Sequence, residues 1–337
     1  MNKLNIGLLG AGHLGKIHLK CLLATQCWEL SGFFDPDEKN AKAVMDQYGL
    51  RRFASLEEML QEVDAVDIVT PTTSHFALAT QAIRAGKHVF IEKPVTETVA
   101  EARQLLRQAH KSGVTVQVGH VERFNPAYLA LQDIELQPMF IESHRLAAFQ
   151  PRGTEVSVIL DLMIHDLDLV LHLVKSPVKT VSASGVAVMS RTPDIANARV
   201  EFRNGCVANL TASRISLKQM RKMRLFQRDA YISLDFLDKN AQIVQLFDQQ
   251  AANLPPVEQL MEFETPGAGK KWLHLQMPEA RPVNAIQLEL ETFYESIVAQ
   301  TPPPVPLSDG VAALELAHQI LKEIEKRQAV SLDQAVL

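Results

Sequence analysis

Four ionisable side chains recur along an otherwise apolar segment, residues 157–173. Asp161, His165, Asp168 and His172 are separated by four, three and four residues, which places them on one face of an α-helix. Burying an unpaired charge is costly, so these side chains must face water, find partners or line a site. An aspartate one helical turn before a histidine suits proton transfer, because the carboxylate can orient the imidazole and stabilise its charged form.

The two later residues of this stripe leave alternatives open. Asp168 and His172 are expected to pair with nearby basic groups or to face solvent, and a second hypothesis is that they extend a proton path. The spacing of His165, Asp168 and His172 is also compatible with a metal site. We expect no metal, because no further cluster of Asp, Glu and His accompanies them in the sequence.

A glycine motif near the N-terminus has the spacing of a nucleotide-binding turn. Gly10, Gly12 and Gly15 form G-x-G-x-x-G between an apolar strand and a helical pattern. The first glycine permits the turn, the second lets the backbone approach a pyrophosphate, and the third allows helix and strand to pack closely. Asp35 follows about 20 residues later, at the end of the second strand, where its carboxylate can accept hydrogen bonds from a ribose diol. That carboxylate repels a 2′-phosphate, so the pattern favours NAD over NADP; a tight turn without a ligand is the alternative.

The first third of the chain alternates strand and helix patterns. The strands are short apolar runs, and the helices have apolar residues at intervals of three and four. Helix ends carry capping signals, such as Ser55 with Glu58 and the glycines Gly49 and Gly113. This alternation predicts a doubly wound parallel sheet covered on both faces, which we assign to an NAD-binding Rossmann domain over residues 1–121.

The remainder of the chain has a different pattern, with strands separated by turns. Strand-like runs with signals such as RNG (203–205) between them predict a largely antiparallel open sheet. The charged helix 157–173 is expected to cover one face of this sheet and to leave the other face available for a subunit contact. Residues 122–337 are therefore assigned to a C-terminal α/β domain for substrate binding and oligomerisation. Helices 284–299 and 308–327 could belong to either domain, including a return to the first.

The composition excludes several classes of protein. The chain has 337 residues, of which 47% are hydrophobic and 22% are charged, with a formal net charge of −5. This length favours two domains, and the negative charge gives no general attraction to nucleic acid or to anionic lipid. Three cysteines without C-x-x-C spacing form neither a disulfide framework nor a thiolate zinc site, which suits a reducing cytoplasm. Because no stretch approaches the roughly 20 apolar residues needed to cross a bilayer, we expect a cytoplasmic protein without membrane contact and with a small-molecule substrate.

Five motifs in chain order carry a resemblance to a known family. They are GAGHLG at the N-terminus, TPTTSHF (70–76), EKP (92–94), GHVERFNP (119–126) and the D-x-x-x-H of Asp161 and His165. Together they make the sequence similar to the glucose-fructose oxidoreductase/inositol dehydrogenase (Gfo/Idh/MocA) family over nearly the whole chain. The resemblance implies an N-terminal Rossmann domain, a C-terminal α/β domain with a largely antiparallel sheet, and hydride transfer at the cleft between them.

The resemblance also implies that Lys93, Asp161 and His165 form a catalytic trio. Lys93 stands at the carboxyl end of a strand, a position that suits either a ligand contact or simple solvation. Oxidation of a secondary alcohol transfers hydride to a nicotinamide while a base takes the hydroxyl proton, and an imidazole, with an ordinary pKa of about 6.5, suits that task. Asp161 would orient His165, and Lys93 would hydrogen-bond the reacting oxygen.

Further cofactor and substrate contacts follow from the same resemblance. The expected NAD contacts are Gly10, Gly12, His13, Leu14, Gly15, Asp35, Thr70, Pro71, Thr72, His75, Glu92 and Lys93. The expected substrate contacts are Lys93, Arg123, Asn125, Arg152 and His165. Guanidinium groups suit a pyrophosphate, and at most two of four arginines on the predicted cleft-side segments are expected to touch ligand: Arg123, Arg145, Arg152 and Arg214.

The chain departs from the family pattern at several positions. Met163 stands where a glycine is usual, VSV (156–158) replaces further glycines, and Thr72 replaces an asparagine. These changes reshape the pocket without removing the trio. HVERFNP and FQPRGTEVSVILDLMIHDLDLVL resemble more specifically a branch that oxidises the C3 hydroxyl of UDP-N-acetylglucosamine. We therefore expect an NAD-dependent oxidoreductase, assembled as a homodimer or homotetramer, that acts on C3 of a UDP-N-acetyl-sugar.

Two other functions remain as alternatives. The first is a dehydrogenase of a free sugar, inositol or dihydrodiol. The second is a non-catalytic sensor of a nicotinamide dinucleotide, although a sensor has no need for an acid and base set. The basic segment 216–228 is expected to be an exposed stretch between strands, with a contact to nucleotide phosphate as its alternative.

Overall fold

The computed structural model of the chain describes residues 3–150, 155–248, 254–256, 259–265 and 269–335. The chain forms two compact units. Met1–Phe124 and Val283–Glu315 make up the first unit, and Asn125–Pro282 and Leu316–Leu337 make up the second. The functions assigned to the two sequence domains stay predictions.

The first unit contains a five-stranded sheet. Its strands are β1 (Leu4–Leu9), β2 (Trp28–Phe34), β3 (Ala65–Ile68), β4 (His88–Glu92) and β5 (Val116–Gly119). Its connecting helices are α1 (His13–Ala24), α2 (Glu38–Tyr48), α3 (Leu56–Glu62), α4 (Thr72–Arg84) and α5 (Val99–Ser112), and a 3-10 helix covers Val121–Phe124. The strand order is β2-β1-β3-β4-β5 with parallel pairings, which confirms the predicted parallel sheet. The order reverses between β1 and β3, and ligands of such sheets bind beyond the carboxyl ends of the strands at this point.

Local sequence signals begin and end the helices of this unit. Ser55 caps α3, since its hydroxyl oxygen accepts a backbone N–H of the first turn at 3.2 Å. Thr98 and Glu101 form a reciprocal capping box at the start of α5. Gly49 and Gly113 end α2 and α5 with φ angles of 65° and 70°, a left-handed conformation that glycine adopts at low cost.

The C-terminal part of the first unit completes its core through α8 (Ala285–Ala299). The indole nitrogen of Trp28 donates a hydrogen bond of 2.8 Å to the carbonyl oxygen of Leu290. The rings of Phe293 and Tyr294 lie 5.6 Å and 5.5 Å from the indole ring. A strand near the N-terminus and a helix near the C-terminus therefore share one hydrophobic cluster.

The second unit contains a nine-stranded sheet. Its strands are β6 (Phe140–Leu146), β7 (Val178–Val186), β8 (Ile195–Phe202), β9 (Val207–Ser213), β10 (Met220–Phe226), β11 (Ala230–Asp235), β12 (Asn240–Asp248), β13 (Leu260–Thr265) and β14 (Gly269–Gln276). The order is β13-β14-β12-β11-β10-β6-β9-β8-β7. The pairing of β6 with β9 is parallel and the other described pairings are antiparallel, which confirms the largely antiparallel sheet. The strands β13 and β14 were not predicted.

One face of this sheet carries the core of the second unit. Buried and more exposed residues alternate along β8 and β9, as expected for strands with one covered face. Among the described residues, the helices of the unit are α6 (Pro126–Leu129), a π-helix (Ile159–Met163), α7 (Ile164–Val174) and the later part of α9 (Leu307–Ala335). Leu167 and Val170 of α7 and Ile320 of α9 belong to the core beneath the sheet. Among the helices of the described residues, none combines the length and the apolar character needed to cross a membrane.

The prediction that the basic segment 216–228 is an exposed stretch between strands was wrong. Met220–Phe226 is not an exposed stretch but strand β10, which lies between β6 and β11. Met223 and Leu225 are fully buried, whereas Lys222 and Arg224 lie on the other face, where Arg224 pairs with Glu142 at 3.0 Å. The density of positive charge concealed an ordinary strand alternation.

Candidate active site

The glycine turn after β1 is closed by two backbone approaches that a side chain would prevent. Gly10 has a φ of 96°, and a Cβ atom there would lie 2.7 Å from the carbonyl oxygen of Val69. A Cβ atom at Gly15 would lie 2.0 Å from the carbonyl oxygen of Gly10. Both distances are far below van der Waals contact, so these two positions require glycine.

Gly12 has a different role, because it faces open space. A Cβ atom there would meet no heavy atom of the described residues within 4 Å. Gly12 is the N-cap of α1; no described side chain caps this helix, and its first turn contains no acidic residue. His13 and Leu14 open the helix and are exposed. Uncapped N–H groups and the positive end of the helix dipole favour a phosphate at this place, so the turn fits the pyrophosphate of a dinucleotide.

Asp35 follows β2 and is held by the same turn. One carboxylate oxygen accepts the N–H of Ala11 at 2.6 Å, and the other accepts the N–H of Asp37 at 2.8 Å. Each oxygen keeps a further lone pair, so the carboxylate can still accept hydrogen bonds from a ribose diol. The neighbouring Arg52 donates to the carbonyl oxygen of Asp35 at 2.9 Å and pairs with Glu38 at 2.7 Å. The carboxylate and not a free cation therefore stands at the position where NAD and NADP differ.

His75 joins two loops at the carboxyl ends of β3 and β4. Its Nδ1 lies 2.9 Å from the carbonyl oxygen of Pro94, and its Nε2 lies 2.9 Å from that of Thr70. Burial is the main influence and lowers the pKa of His75, although both carbonyl groups oppose it. The hydroxyl of Ser74 also binds that of Thr70 at 2.7 Å. The imidazole thus positions the Thr70 loop, and Pro71 and Thr72 follow at the start of α4; their predicted contacts with NAD stay predictions.

Glu92 ends β4 and Lys93 follows it, and the two side chains have different environments. The side chain of Lys93 is partly exposed, whereas Glu92 is buried and its carboxylate lies 3.2 Å from the imidazole of His18. A Cβ atom at Gly119 would lie 2.6 Å from that carboxylate, so the glycine at the end of β5 makes room for it. Glu92 therefore has a role in the interior of the unit that the sequence did not indicate.

Asp161 and His165 lie in the second unit, and both are partly exposed. The segment was predicted as one α-helix, but Ile159–Met163 is a π-helix that continues into α7. A π-helical turn contains an extra residue and often occurs at functional sites. Because Lys93 belongs to the first unit, the catalytic trio as a set stays a prediction.

The charged helix also carries a buried aspartate, Asp166, which was not among the four residues singled out from the sequence. Asp166 is buried and accepts two hydrogen bonds from the guanidinium of Arg145, at 3.0 Å and 2.8 Å. Arg145 was a candidate for the pyrophosphate, but this bidentate pair fixes it in the core of the second unit. Asp168 is also buried, so exposure to solvent was the wrong expectation for it. His172 packs edge-on against Tyr128 and lines a cavity of about 920 Å³.

The other arginine candidates are also held by protein groups where the structure describes them. Arg123 is buried, pairs with Asp309 at 2.9 Å and donates to the carbonyl oxygen of Pro304 at 3.2 Å, all within the first unit. Arg214 donates to the carbonyl oxygen of Val156 and lies near the buried Asp194. Arg152 lies outside the described residues.

Asn125, a predicted substrate contact, and Asp194, which the sequence did not indicate, both make hydrogen bonds within the protein. Asn125 caps α6 by accepting the N–H of Ala127 at 3.0 Å, and its amide donates to the carbonyl oxygen of Phe236 at 3.0 Å. Asp194 accepts the N–H groups of Val188, Met189 and Ser190. Burial opposes its charge, but the Ser190 hydroxyl and these N–H groups lower the pKa of Asp194 to about 2. These contacts are structural, and the predicted substrate contacts of Asn125 and Arg123 stay predictions.

The parallel sheet, the uncapped glycine turn at its switch point and the carboxylate after the second strand define a dinucleotide-binding protein of the Rossmann class. Comparison with known proteins identifies the family within this class. Residues 4–120 match the oxidoreductase family with an NAD-binding Rossmann fold, known as Gfo/Idh/MocA. Residues 140–232 match a C-terminal domain of the same family. The chain belongs to the Gfo/Idh/MocA family of NAD-dependent oxidoreductases.

Individual relatives cover almost the whole chain. UDP-N-acetylglucosamine 3-dehydrogenase from Acidithiobacillus ferrooxidans is 37% identical over 329 residues, which is 96% of this chain and 98% of the relative. A solved structure of the enzyme from that organism has a TM-score of 0.86 and 36% identity, and covers 97% of this chain and 99% of its own. Myo-inositol 2-dehydrogenase from Thermotoga maritima is 23% identical over 352 residues, with 99% of this chain and 100% of the relative covered.

Proposed function

We propose that this protein oxidises the C3 hydroxyl of a UDP-N-acetyl-sugar, with UDP-N-acetylglucosamine as the first candidate, and uses NAD. The observation that carries this proposal is the full-length similarity to UDP-N-acetylglucosamine 3-dehydrogenase. The open space at Gly12 and the carboxylate of Asp35 support it, because they fit the pyrophosphate and the adenosine ribose of NAD.

The proposed cofactor contacts of the first unit centre on the glycine turn and on Asp35. The N–H groups at the start of α1 bind phosphate, Asp35 binds the ribose diol, and the carboxylate disfavours a 2′-phosphate. When bound, NAD supplies the acceptor for the hydride that leaves the substrate carbon. The loop of Thr70 and Pro71 and the residues His75, Glu92 and Lys93 shape the remaining part of the cofactor site.

The proton chemistry belongs to the trio. His165 takes the proton of the C3 hydroxyl as general base. Asp161 orients the imidazole and stabilises its charged form. The ammonium of Lys93 hydrogen-bonds the same oxygen and stabilises the negative charge that develops on it. Arg123, Asn125 and Arg152 are the proposed contacts to the rest of the substrate.

A turnover screen tests the proposal. The purified protein is incubated with NAD or NADP and with UDP-N-acetylglucosamine, UDP-glucose, free N-acetylglucosamine or myo-inositol, and formation of the reduced nicotinamide is followed by absorbance. We expect turnover with UDP-N-acetylglucosamine and NAD, and a 3-keto product by mass spectrometry. Faster turnover of free inositol would favour the inositol dehydrogenases among the relatives. Tight binding of NAD without turnover of any alcohol would favour a sensor.

Assembly and location are part of the same proposal. We place the protein in the cytoplasm as a homodimer or homotetramer, with the uncovered face of the nine-stranded sheet as the contact between subunits. The alternation of exposed residues along β8 supports this choice. Light scattering coupled to size-exclusion chromatography measures the subunit number, and a monomer at micromolar concentration would contradict the proposal.

A further inference from the structure

A group of ionisable side chains lies in the interior of the first unit, and of its members only Glu92 has a part in the proposed reaction. We call it the buried cluster, and it consists of His18 on α1, Asp67 on β3, Glu92 on β4 and Glu289 on α8. His18, Asp67 and Glu289 have no exposed surface, and Glu92 is 7% exposed. Burying three ionised carboxylates and an imidazole is unfavourable unless protons or a cation neutralise the negative charge.

Contacts of His18 show where a positive charge is needed. The Oδ2 atom of Asp67 lies 2.9 Å from Nδ1 of the imidazole, and the Oε1 atom of Glu92 lies 3.2 Å from Nε2. In the tautomer of neutral His18 that donates its Nδ1 proton to Asp67, the lone pair of Nε2 points towards the oxygen of Glu92. That arrangement is repulsive unless a proton or a metal ion lies between the two atoms.

The carboxyl group of Glu289 also requires a proton or a cation, and for it the geometric evidence is stronger. Within the described residues neither oxygen of its carboxyl group has a hydrogen-bond partner. The nearby amide of Gln117 donates to the backbone carbonyl oxygen of Glu289 at 2.7 Å and not to its side chain. A buried carboxylate without a partner is strongly unfavourable, so Glu289 must hold a proton or bind a cation.

Proton affinities within the cluster agree with this geometry. Burial lowers the pKa of His18, but the Asp67 carboxylate and hydrogen bonds to Asp67 and Glu92 outweigh burial and raise it well above its usual value. Burial, together with the charge of Glu92, raises the pKa of Glu289 well above its usual value.

We propose that Nε2 of His18 and the carboxylates of Glu92 and Glu289 bind one divalent transition-metal ion. One ligand atom from each residue lies within 4.8 Å of the other two, and the 3.2 Å between His18 and Glu92 is close to the separation of about 3.4 Å between ligands of a tetrahedral zinc ion. One imidazole with two carboxylates suits Zn²⁺, and Asp67 is the outer carboxylate that fixes the tautomer of a metal-binding histidine.

The proposed ion has a structural role. It connects α1, β4 and α8, so it fixes α8 to the parallel sheet. A divalent ion with a neutral imidazole and three carboxylates leaves the same net charge as a protonated His18 with a protonated Glu289. Metal binding therefore competes with two protons, and the affinity is expected to rise with pH.

Direct metal analysis tests the proposal. The full chain is purified without a metal-affinity column and without chelator, and its zinc content is measured by plasma mass spectrometry. After treatment with chelator, the melting temperature is recorded with and without added Zn²⁺. We expect close to one equivalent of zinc per chain and a rise in melting temperature of about 5 °C at Zn²⁺ concentrations far above the Kd.

Two variants and a control locate the ion. Glu289→Gln and His18→Gln should each lose the bound zinc and the shift, whereas Glu295→Gln, at an exposed position of the same helix, should keep both. Absence of zinc from the unmodified chain together with no shift on adding Zn²⁺ overturns the proposal, and this result does not depend on whether a variant folds. A higher melting temperature of Glu289→Gln than of the parent at pH 8, in chelator-treated protein without a zinc response, would show that the cluster holds protons instead.

Discussion

The glycine turn of the first unit and the charged helix of the second unit were both recognised from residue spacing. The spacing predicted the contacts of the turn well and those of the helix poorly. At the turn, the spacing fixes the backbone, and Gly10 and Gly15 make the close contacts expected of them. On the helix, the spacing selects residues that share a face but does not select their partners. Asp166, outside the predicted stripe, has the buried ion pair, and its partner Arg145 is remote in the sequence. Spacing is thus informative about backbone geometry and less informative about long-range pairing.

The largest expected effect is a loss of activity on substitution of the two proposed catalytic residues Lys93 and His165. Lys93→Ala and His165→Ala should each lower kcat/KM by about 10²–10⁴-fold, because one loses the stabilisation of the reacting oxygen and the other loses the base. The affinity for NAD should change little in His165→Ala. Steady-state kinetics with Lys111→Ala, an exposed lysine of α5, as control measures the effect. Turnover near that of the parent in either variant would remove the residue from the trio.

The ion pair of the charged helix should matter more for stability than an exposed pair. Asp166→Ala removes the two carboxylate hydrogen bonds to the buried guanidinium of Arg145 and should lower the free energy of unfolding by about 3–5 kcal/mol. Glu201→Ala, which breaks the exposed pair with Arg199 on β8, should cost at most about 1 kcal/mol. Urea unfolding of both variants provides the measurement. Equal losses would contradict the burial of the Asp166 pair.

Two glycines of the turn should separate folding from binding. Gly15→Ala forces a methyl group against the carbonyl of Gly10 and should lower the free energy of unfolding by about 1–3 kcal/mol or more. Gly12→Ala meets no described atom, so its melting temperature should stay near that of the parent. Its affinity for NAD should fall about ten-fold or more, because the methyl group occupies the approach of the pyrophosphate. Calorimetric titration that finds unchanged NAD affinity in Gly12→Ala would argue against a dinucleotide at this turn.

Asp194 offers a test of stability against pH in the second unit. Asp194→Asn weakens the contacts to three N–H groups and to Arg214 and should cost about 1–3 kcal/mol near neutral pH. The folded-state pKa of about 2 lies below the ordinary value, so the stabilisation by this carboxylate is present above about pH 4 and is lost as the pH falls through about 2. Thermal unfolding should therefore show a gap between parent and variant that narrows over this range. A gap that is constant with pH would assign the effect to packing.

The smallest effect concerns the choice between the two cofactors. Asp35→Ser removes the carboxylate that accepts the ribose hydroxyls and leaves Arg52 close to the place of a 2′-phosphate. We expect the ratio of kcat/KM for NAD over that for NADP to fall about ten-fold or more. Glu57→Ser, at an exposed position of α3, is the control. An unchanged ratio would mean that Asp35 serves only to hold the turn.

Much of the fold could be predicted because its signals are local. The strands of the parallel sheet are apolar runs, and the helix ends at Gly49 and Gly113 follow from the conformational freedom of glycine. The hairpin of β8 and β9 follows from the turn at 203–205. The family resemblance also implied a largely antiparallel sheet in the C-terminal part of the chain, and the structure has it.

Features that depend on remote partners could not be predicted in this way. β13 and β14 were not predicted, because charged side chains interrupt their apolar residues. The buried cluster draws its four residues from four separate elements, and a lone His18 in a helix pattern resembles any surface histidine. The π-helix at Asp161 was missed because a single extra residue per turn leaves no mark in hydrophobic spacing. The pairing of these groups is a property of the assembled core and not of any one segment.

The position of Trp28 has a consequence for synthesis of the protein. Its indole is covered by Leu290, Phe293 and Tyr294, which the ribosome adds more than 250 residues later. Until then the nascent first unit exposes an aromatic surface that its own N-terminal residues do not cover. The part of this cluster that α8 covers in the finished protein stays open until synthesis is nearly complete, so chaperones that shield apolar surface can bind it during that time.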